Sequence, residues 1–230
     1  MVRVCKLAGI ALALSVLGGQ AAADEKLVQA AGFSKIANSG AELLPAAALG
    51  TGEKDWACLR DNQTGLVWEI KTTDGGLRDH RWTYTPFDSD ASTNGGFPGY
   101  KDKTSGKCLR TSMAESSCNT EAYIHAVRDS GLCGENDWRL PTVSELVAVS
   151  TQTSDALPES TSQLMPNILS GWYWTGVERI GITQFSRVIL LPPGGQPTFY
   201  DGSYLVIAVR GGNESQVSGS HQGVEPTSAD

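Results

Sequence analysis

Hydrophobic and polar positions alternate most regularly in LVWEI (66–70). Leu66, Trp68 and Ile70 fall on one face, Val67 and Glu69 on the other, which is the two-residue period of a strand. Turn formers stand just before it, Asp61-Asn62 and Thr64-Gly65, so residues 56–72 read as a turn feeding a strand. Three more strands are predicted: GWYWTG (171–176), QFSRVILL (184–191) and YLVIAVR (204–210). The last is apolar on both faces, as a central strand would be.

Two segments follow the helical period instead. In NTEAYIHAVRDSGLCG (119–134), Ala122, Tyr123, Ala126 and Val127 form an apolar stripe, and Asn119 or Thr120 can cap the start. Gly131 sits where a left-handed residue ends a helix, and Leu132 then falls in place to touch Val127. His125 on this helix reads as a surface or boundary residue. In NDWRLPTVSELVAV (136–149), Thr142 and Glu145 make a capping box, while Pro141 and Leu146 occupy the positions of a hydrophobic staple. Proline keeps Leu140 extended, so the second helix is expected from Thr142 to about Val149, with Val143, Leu146 and Val147 inward. Trp138 and Leu140 are expected to bury against the sheet. Arg139, beside core residues, needs a partner, expected to be Glu69 or carbonyls near the final strand. Glu69, Trp138, Arg139, Thr142, Glu145 and Arg210 are thus read as structural.

The remaining chain is organised around this unit. Residues 1–23 have the form of an export signal: Arg3 and Lys6, an apolar run from Leu7 to Leu17, and small residues at Ala21-Ala22-Ala23. Cleavage is expected near Ala23, which places the protein outside the cytoplasm, secreted, periplasmic or on a bacterial cell surface. No later segment reaches the roughly 18 apolar residues of a membrane helix, so no membrane insertion is expected. Residues 24–54 read as a partly ordered lead-in, 55–212 as one domain, and 213–230 as a disordered tail rich in Ser, Gly and acids. The chain's net charge is −7, and loss of Arg3 and Lys6 with the signal takes it to −9. Such a surface repels nucleic acid and anionic lipid.

Of five cysteines, Cys58, Cys108, Cys118 and Cys133 remain after cleavage. An even number in an exported chain implies two disulfides, with three pairings open. A helix over 120–130 is about 16 Å long, so the few residues between it and Cys118 and Cys133 could only just span back to the roughly 5.5 Å of a disulfide, which weakens that pairing. Cys108–Cys118 with Cys58–Cys133 is the favoured set.

Motifs for common chemistry are missing. There is no GxGxxG after a strand, no P-loop, no GxSxG elbow and no HExxH. His80, His125 and His221 are dispersed, and no CxxC pair supports zinc. No catalytic residue and no cofactor is expected. DSDASTNGG offers oxygens at Asp88, Asp90 and Asn94, but its sixth position is not Gly and no Glu closes a twelve-residue loop; calcium there is the alternative to a solvated, turn-rich loop. Loops at 74–107, 150–170 and 192–203 are the expected binding surface, with Trp82, Tyr84, Asp88, Asp90, Asn94 and Tyr200 as binding residues.

The ordered set DWACLRDNQTGLVWEIKT, GLRDHRWTYT, CNTEAYIHAV, GLCGENDWRLPTVSEL, WYWTG and YLVIAVRGG resembles the Lcl C-terminal domain family of bacteria over about residues 55–212. The resemblance implies an α+β fold of C-type-lectin-like kind: two helices packed on a small twisted antiparallel sheet with long loops. It also implies an extracytoplasmic domain and, for the family's namesake adhesin, sulfated-polysaccharide binding. The collagen-like repeats of that adhesin are not present here, nor are the EPN, QPD and WND motifs of calcium-dependent lectins. GLVWE, RLPTxxE and VRGG are also similar to the formylglycine-generating enzyme superfamily, whose chemistry needs late cysteines; none follows Cys133. The expected function is an exported, noncatalytic binding or adhesion-type module for a surface glycan or protein ligand. The alternative is a periplasmic enzyme of the formylglycine-generating superfamily.

Overall fold

The computed structural model describes residues 32–92, 94, 96–101, 106–113, 117–154, 164–176, 187–191, 198–199 and 202–212. Residues 1–23, read above as an export signal, the 213–230 tail and Tyr200 lie outside them. The chain is α+β. Its elements in order are β1 (Phe33–Ala37), β2 (Trp56–Asp61), β3 (Leu66–Glu69), α1 (Thr120–Asp129), α2 (Val143–Ser154), β4 (Gly171–Trp174), β5 (Arg187–Leu191), β6 (Thr198–Phe199) and β7 (Val209–Gly211). One antiparallel sheet has the order β1-β2-β3-β7, and a second, β4-β5-β6, is also antiparallel.

β3 is buried along its whole length, because both its faces meet a core. Leu66, Trp68 and Ile70 join Leu59, Leu146 and Val149; Val67 joins Ala122, Tyr123, Val127 and Trp138. The alternation in LVWEI therefore separates two hydrophobic layers, with α1 on one and α2 on the other. Burying each large side chain here is worth roughly 1.5–3 kcal/mol.

Glu69 shares the face of Val67, and its carboxylate has no access to solvent. Three elements satisfy it. Tyr123 of α1 donates its hydroxyl to Oε1, Lys71 donates Nζ to Oε1 at 2.9 Å, and the Ala208 N–H donates to Oε2 at 2.8 Å. Lys71 also donates to the Tyr123 hydroxyl. Burial pushes the Lys71 ammonium below its ordinary value, against the pull of Glu69, and pushes the Tyr123 phenol up. Residues 204–211 explain the placement of Ala208. The run predicted as one central strand is extended, but it changes neighbours along its length. Tyr204 pairs with Tyr84, Leu205 exchanges bonds with Trp172 and Trp174 of β4, and Val209 lies between Trp68 and Arg139. Only Val209–Gly211 forms a regular strand, and the Glu69 carboxylate serves the backbone where the partners change.

Both helix starts are built from local side chains. Asn119, rather than Thr120, caps α1, its side chain accepting from Ala122 N at 2.8 Å. Thr120 instead exchanges hydrogen bonds with the backbone of Phe87. Gly131 ends α1 with φ of 61°, and its N–H donates to Arg128 O. At α2, Glu145 N donates to Thr142 Oγ1 (3.2 Å) and Thr142 N to the Glu145 carboxylate (2.8 Å), the reciprocal bonds of a capping box. α2 continues past the expected end at Val149 to Ser154, since no Gly or Pro interrupts STQTS.

Arg139 does not reach Glu69. Its guanidinium grips Glu145 with both Nη atoms (2.8 and 2.6 Å) and also donates to the carbonyls of Leu140 and Gly211, the latter in β7. Trp138 is fully buried and donates Nε1 to Leu132 O. Arg210 pairs with Asp137 and Glu135. The stretch read as a partly ordered lead-in supplies β1, whose outer edge is covered by residues 41–43. Cys58 in β2 is bonded to Cys133 in the turn after α1, and Cys108 to Cys118 just before α1. The helix thus has a covalent tie near each end.

Removing one member of the buried ionic group leaves the others unpaired. Glu69→Ala is expected to lower the unfolding free energy by about 3–5 kcal/mol, measured by urea denaturation; a loss below about 1 kcal/mol would show that the group is not a structural hinge. Arg139→Leu should cost about 1–2 kcal/mol, read as a lower melting temperature. An unchanged melting temperature would contradict the structural role given to Arg139.

Candidate functional site

Asp74-Gly75-Gly76 opens a loop that the chain must close quickly, and Asp79 closes it. Gly75 takes φ of 74°, a value side-chain-bearing residues rarely adopt. The fully buried Asp79 carboxylate accepts from Gly75 N (2.7 Å), Arg81 N (3.0 Å), Arg81 Nε (2.8 Å) and Arg81 Nη2 (3.0 Å). The Arg81 side-chain hydrogen bonds, more than any other influence, hold Asp79 well below the usual aspartate range. Thr72 N donates to Arg78 O, His80 N to Thr72 O, and Trp82 Nε1 to Gly76 O at 2.7 Å. Residues 72–82 are therefore a fixed frame with defined side-chain positions.

A cleft of about 160 Å³ opens against this frame. Its charged groups are Asp74 and Arg78, its hydroxyl and amide groups are Thr51, Thr72, Ser130 and Asn38, and its apolar contacts are Leu77 and Leu132. Ser130 and Leu132 place the C-terminal end of α1 at the same opening. Thr72 Oγ1 donates to Asp74 Oδ1 at 2.7 Å, and this bond first of all keeps the Asp74 carboxyl below its ordinary value. Arg78 is only 8 % exposed, and its Nη1 donates to the carbonyls of Ala57 (3.0 Å) and Ile70 (2.9 Å).

A second cleft of about 150 Å³ lies at the other end of α1, between its first turns and Phe87, Lys101 and Ser117. Here the polar groups serve each other. Asn119 Nδ2 donates to Lys101 O, and Glu121 accepts from Ser89 N at 2.6 Å. His125 is exposed on its rim.

The residues expected to bind divide between these places. Trp82 is half-buried and braces the 72–82 frame. Tyr84 is fully buried against Tyr123, ring centroids 4.8 Å apart, so it is a core residue and offers no surface to a ligand. Asp88, Asp90 and Asn94 share one loop, where Asp88 accepts from Asp90 N, Asp90 from Ser92, and Asn94 from Gly96 N. Among the described residues no group of three His, Cys, Asp or Glu side chains could hold a metal ion. Arg78, Asp79 and Lys71 were not expected at the sequence level. The DGG turn and the Asp-x-Arg spacing of Asp79 and Arg81 are the local signal that bears on the loop; nothing in the sequence shows that Arg78 is buried.

Because Asp79 is held charged in the folded state, its contribution to stability is complete above the ordinary aspartate value. It is lost as pH falls below about 4 toward the lower folded value. The Asp79 carboxyl carbon is expected to remain ionised in NMR titration where ordinary aspartates protonate, and Asp79→Asn should flatten the fall of melting temperature in acid. Ordinary titration of Asp79 would disprove the assignment of this residue as the loop's hub.

Residues 57–210, well over half of the chain, match the family model of the Lcl C-terminal domain. No curated protein and no solved structure matches the chain.

Proposed function

The chain belongs to the Lcl C-terminal domain family, and from that premise we propose that it is an exported, noncatalytic glycan-binding module. The observation that carries this reading is the cleft on the 72–82 frame. It is shallow and fixed, and it gathers hydroxyl, amide and charged groups beside two leucines, the mixture that meets the polar edges and C–H faces of a sugar. Its volume of about 160 Å³ falls below the roughly 300–1,000 Å³ of sites that enclose a whole small molecule. That suits recognition of one unit of a longer chain. The acid, lysine and tyrosine groups around Glu69, by contrast, are sealed in the core and hold the sheet to α1.

Export is supported by the two disulfides, which persist in oxidising compartments. No helix among the described residues is long and apolar enough to cross a membrane. The formylglycine-generating alternative finds no thiol in the described domain: Cys58, Cys108, Cys118 and Cys133 are all in disulfides. The net charge of −7 disfavours a polysulfated ligand.

A glycan array probed with the exported protein, in calcium and in chelator, tests this reading. Binding to a restricted set of glycans is expected, and it should persist in chelator because Asp74 is the one carboxylate among the described residues lining the cleft. A blank array would overturn the glycan reading in favour of a protein ligand. Binding only in calcium would move the site to the loop of Asp88, Asp90 and Asn94.

A further inference from the structure

We infer that the cleft beside the 72–82 frame is a carboxylate subsite for an acidic sugar, with Arg78 as its anchor; this rests on the glycan-binding reading and narrows it. A buried cation normally has a carboxylate partner, because desolvation without one is costly. Arg78 has none at ion-pair distance among the described residues. Asp79 is taken by Arg81, and Asp74 Oδ1 by Thr72 and the Gly76 N–H. What holds Arg78 is two main-chain carbonyls, and both bind Nη1.

Among the described residues the other edge of the guanidinium, Nε and Nη2, finds no acceptor, and neither nitrogen is among the closed-off, unpartnered polar atoms. That edge presents two parallel N–H groups, the arrangement that fits both oxygens of a carboxylate. On this proposal a ligand acid meets this edge in the cleft, which Arg78 lines. The anchoring of Nη1 fixes the guanidinium beforehand, so little side-chain freedom is lost on binding.

The remaining groups select a sugar acid over other anions. Asp74 is ionised, and among the described residues no neighbour donates to its Oδ2, which leaves that oxygen for a ligand hydroxyl. The side chains of Asn38 and Thr51 also lack partners among the described residues and lie at the same cleft. One carboxylate surrounded by hydroxyls satisfies this set. A sulfate ester can also offer two oxygens to this edge, so a sulfated sugar is the probe that tests the preference for a carboxylate.

Titration of the full exported protein by 1H–15N NMR, following the Arg78 Nε–H and the amides of residues 72–78, decides the matter. The probes are glucuronate, glucose, glucose 6-sulfate and N-acetylglycine at matched ionic strength. Glucuronate should give saturable shifts, with the other three weaker by on the order of tenfold. Arg78→Lys keeps the charge and should weaken glucuronate on the order of tenfold. Asn38→Ala with Thr51→Val leaves the Arg78 anchors alone and should weaken it severalfold at an unchanged melting temperature. The inference is overturned by any of three results: no saturable shift with glucuronate, an equal response to the sulfate or to N-acetylglycine, or undiminished binding in both variants. Failure here with glycans still bound on the array sinks the subsite alone. Glucuronate shifts alongside a blank array sink the broader reading and leave the subsite standing.

Discussion

Glu69 holds a carboxylate in the middle of the fold, with no solvent around it, and the arrangement of the surrounding elements follows from satisfying it. Moving such a charge out of water costs several kcal/mol unless its oxygens are fully engaged. Here α1 supplies the Tyr123 hydroxyl, the end of β3 supplies Lys71, and the 204–211 segment supplies the Ala208 N–H. One oxygen draws the helix and the other draws the backbone that joins the two sheets. An apolar residue at this position would fill the space but would leave the Ala208 N–H, Lys71 and Tyr123 without their partner.

The same buried region reaches the surface loop. Lys71 is one residue from Thr72, where the 72–82 frame begins, and Arg78 turns back to hold the carbonyls of Ala57 and Ile70 in and beside β2 and β3. Asp79 and Trp82 then tie the loop to itself. Cys58–Cys133 joins β2 to the turn after α1, so the two walls of the cleft, the loop and the helix end, are fixed to one sheet. A site on such a support loses little entropy when it takes a ligand.

The capping box at Thr142 and Glu145 shows how one residue serves local and distant structure together. Glu145 caps α2, and it is also the carboxylate that Arg139 grips while reaching Gly211 in β7. The NDWRLPTVSEL stretch is therefore scaffold. Trp138 fills the core on the α1 side and Leu146 fills the core on the α2 side, so the stretch crosses from one layer to the other.

The sequence by itself determined what depends on neighbours along the chain. The period of LVWEI placed Val67 and Trp68 in different cores, Gly131 ended α1, and the T-x-x-E box started α2, because strand alternation, left-handed φ and capping are all local. Helix length counted against Cys118–Cys133, one of the three possible pairings; the tertiary structure holds Cys58–Cys133 and Cys108–Cys118. Only the tertiary structure decided what depends on distant chain. It chose Glu145 over Glu69 for Arg139, since six residues of helix approach bring that carboxylate in reach while Glu69 is turned into the core. It broke the predicted strand at 204–210 into segments with different neighbours, and it made Tyr84 core. It also buried Arg78, whose Nη1 holds the carbonyls of Ala57 and Ile70, an arrangement that no spacing within GLRDHR reveals.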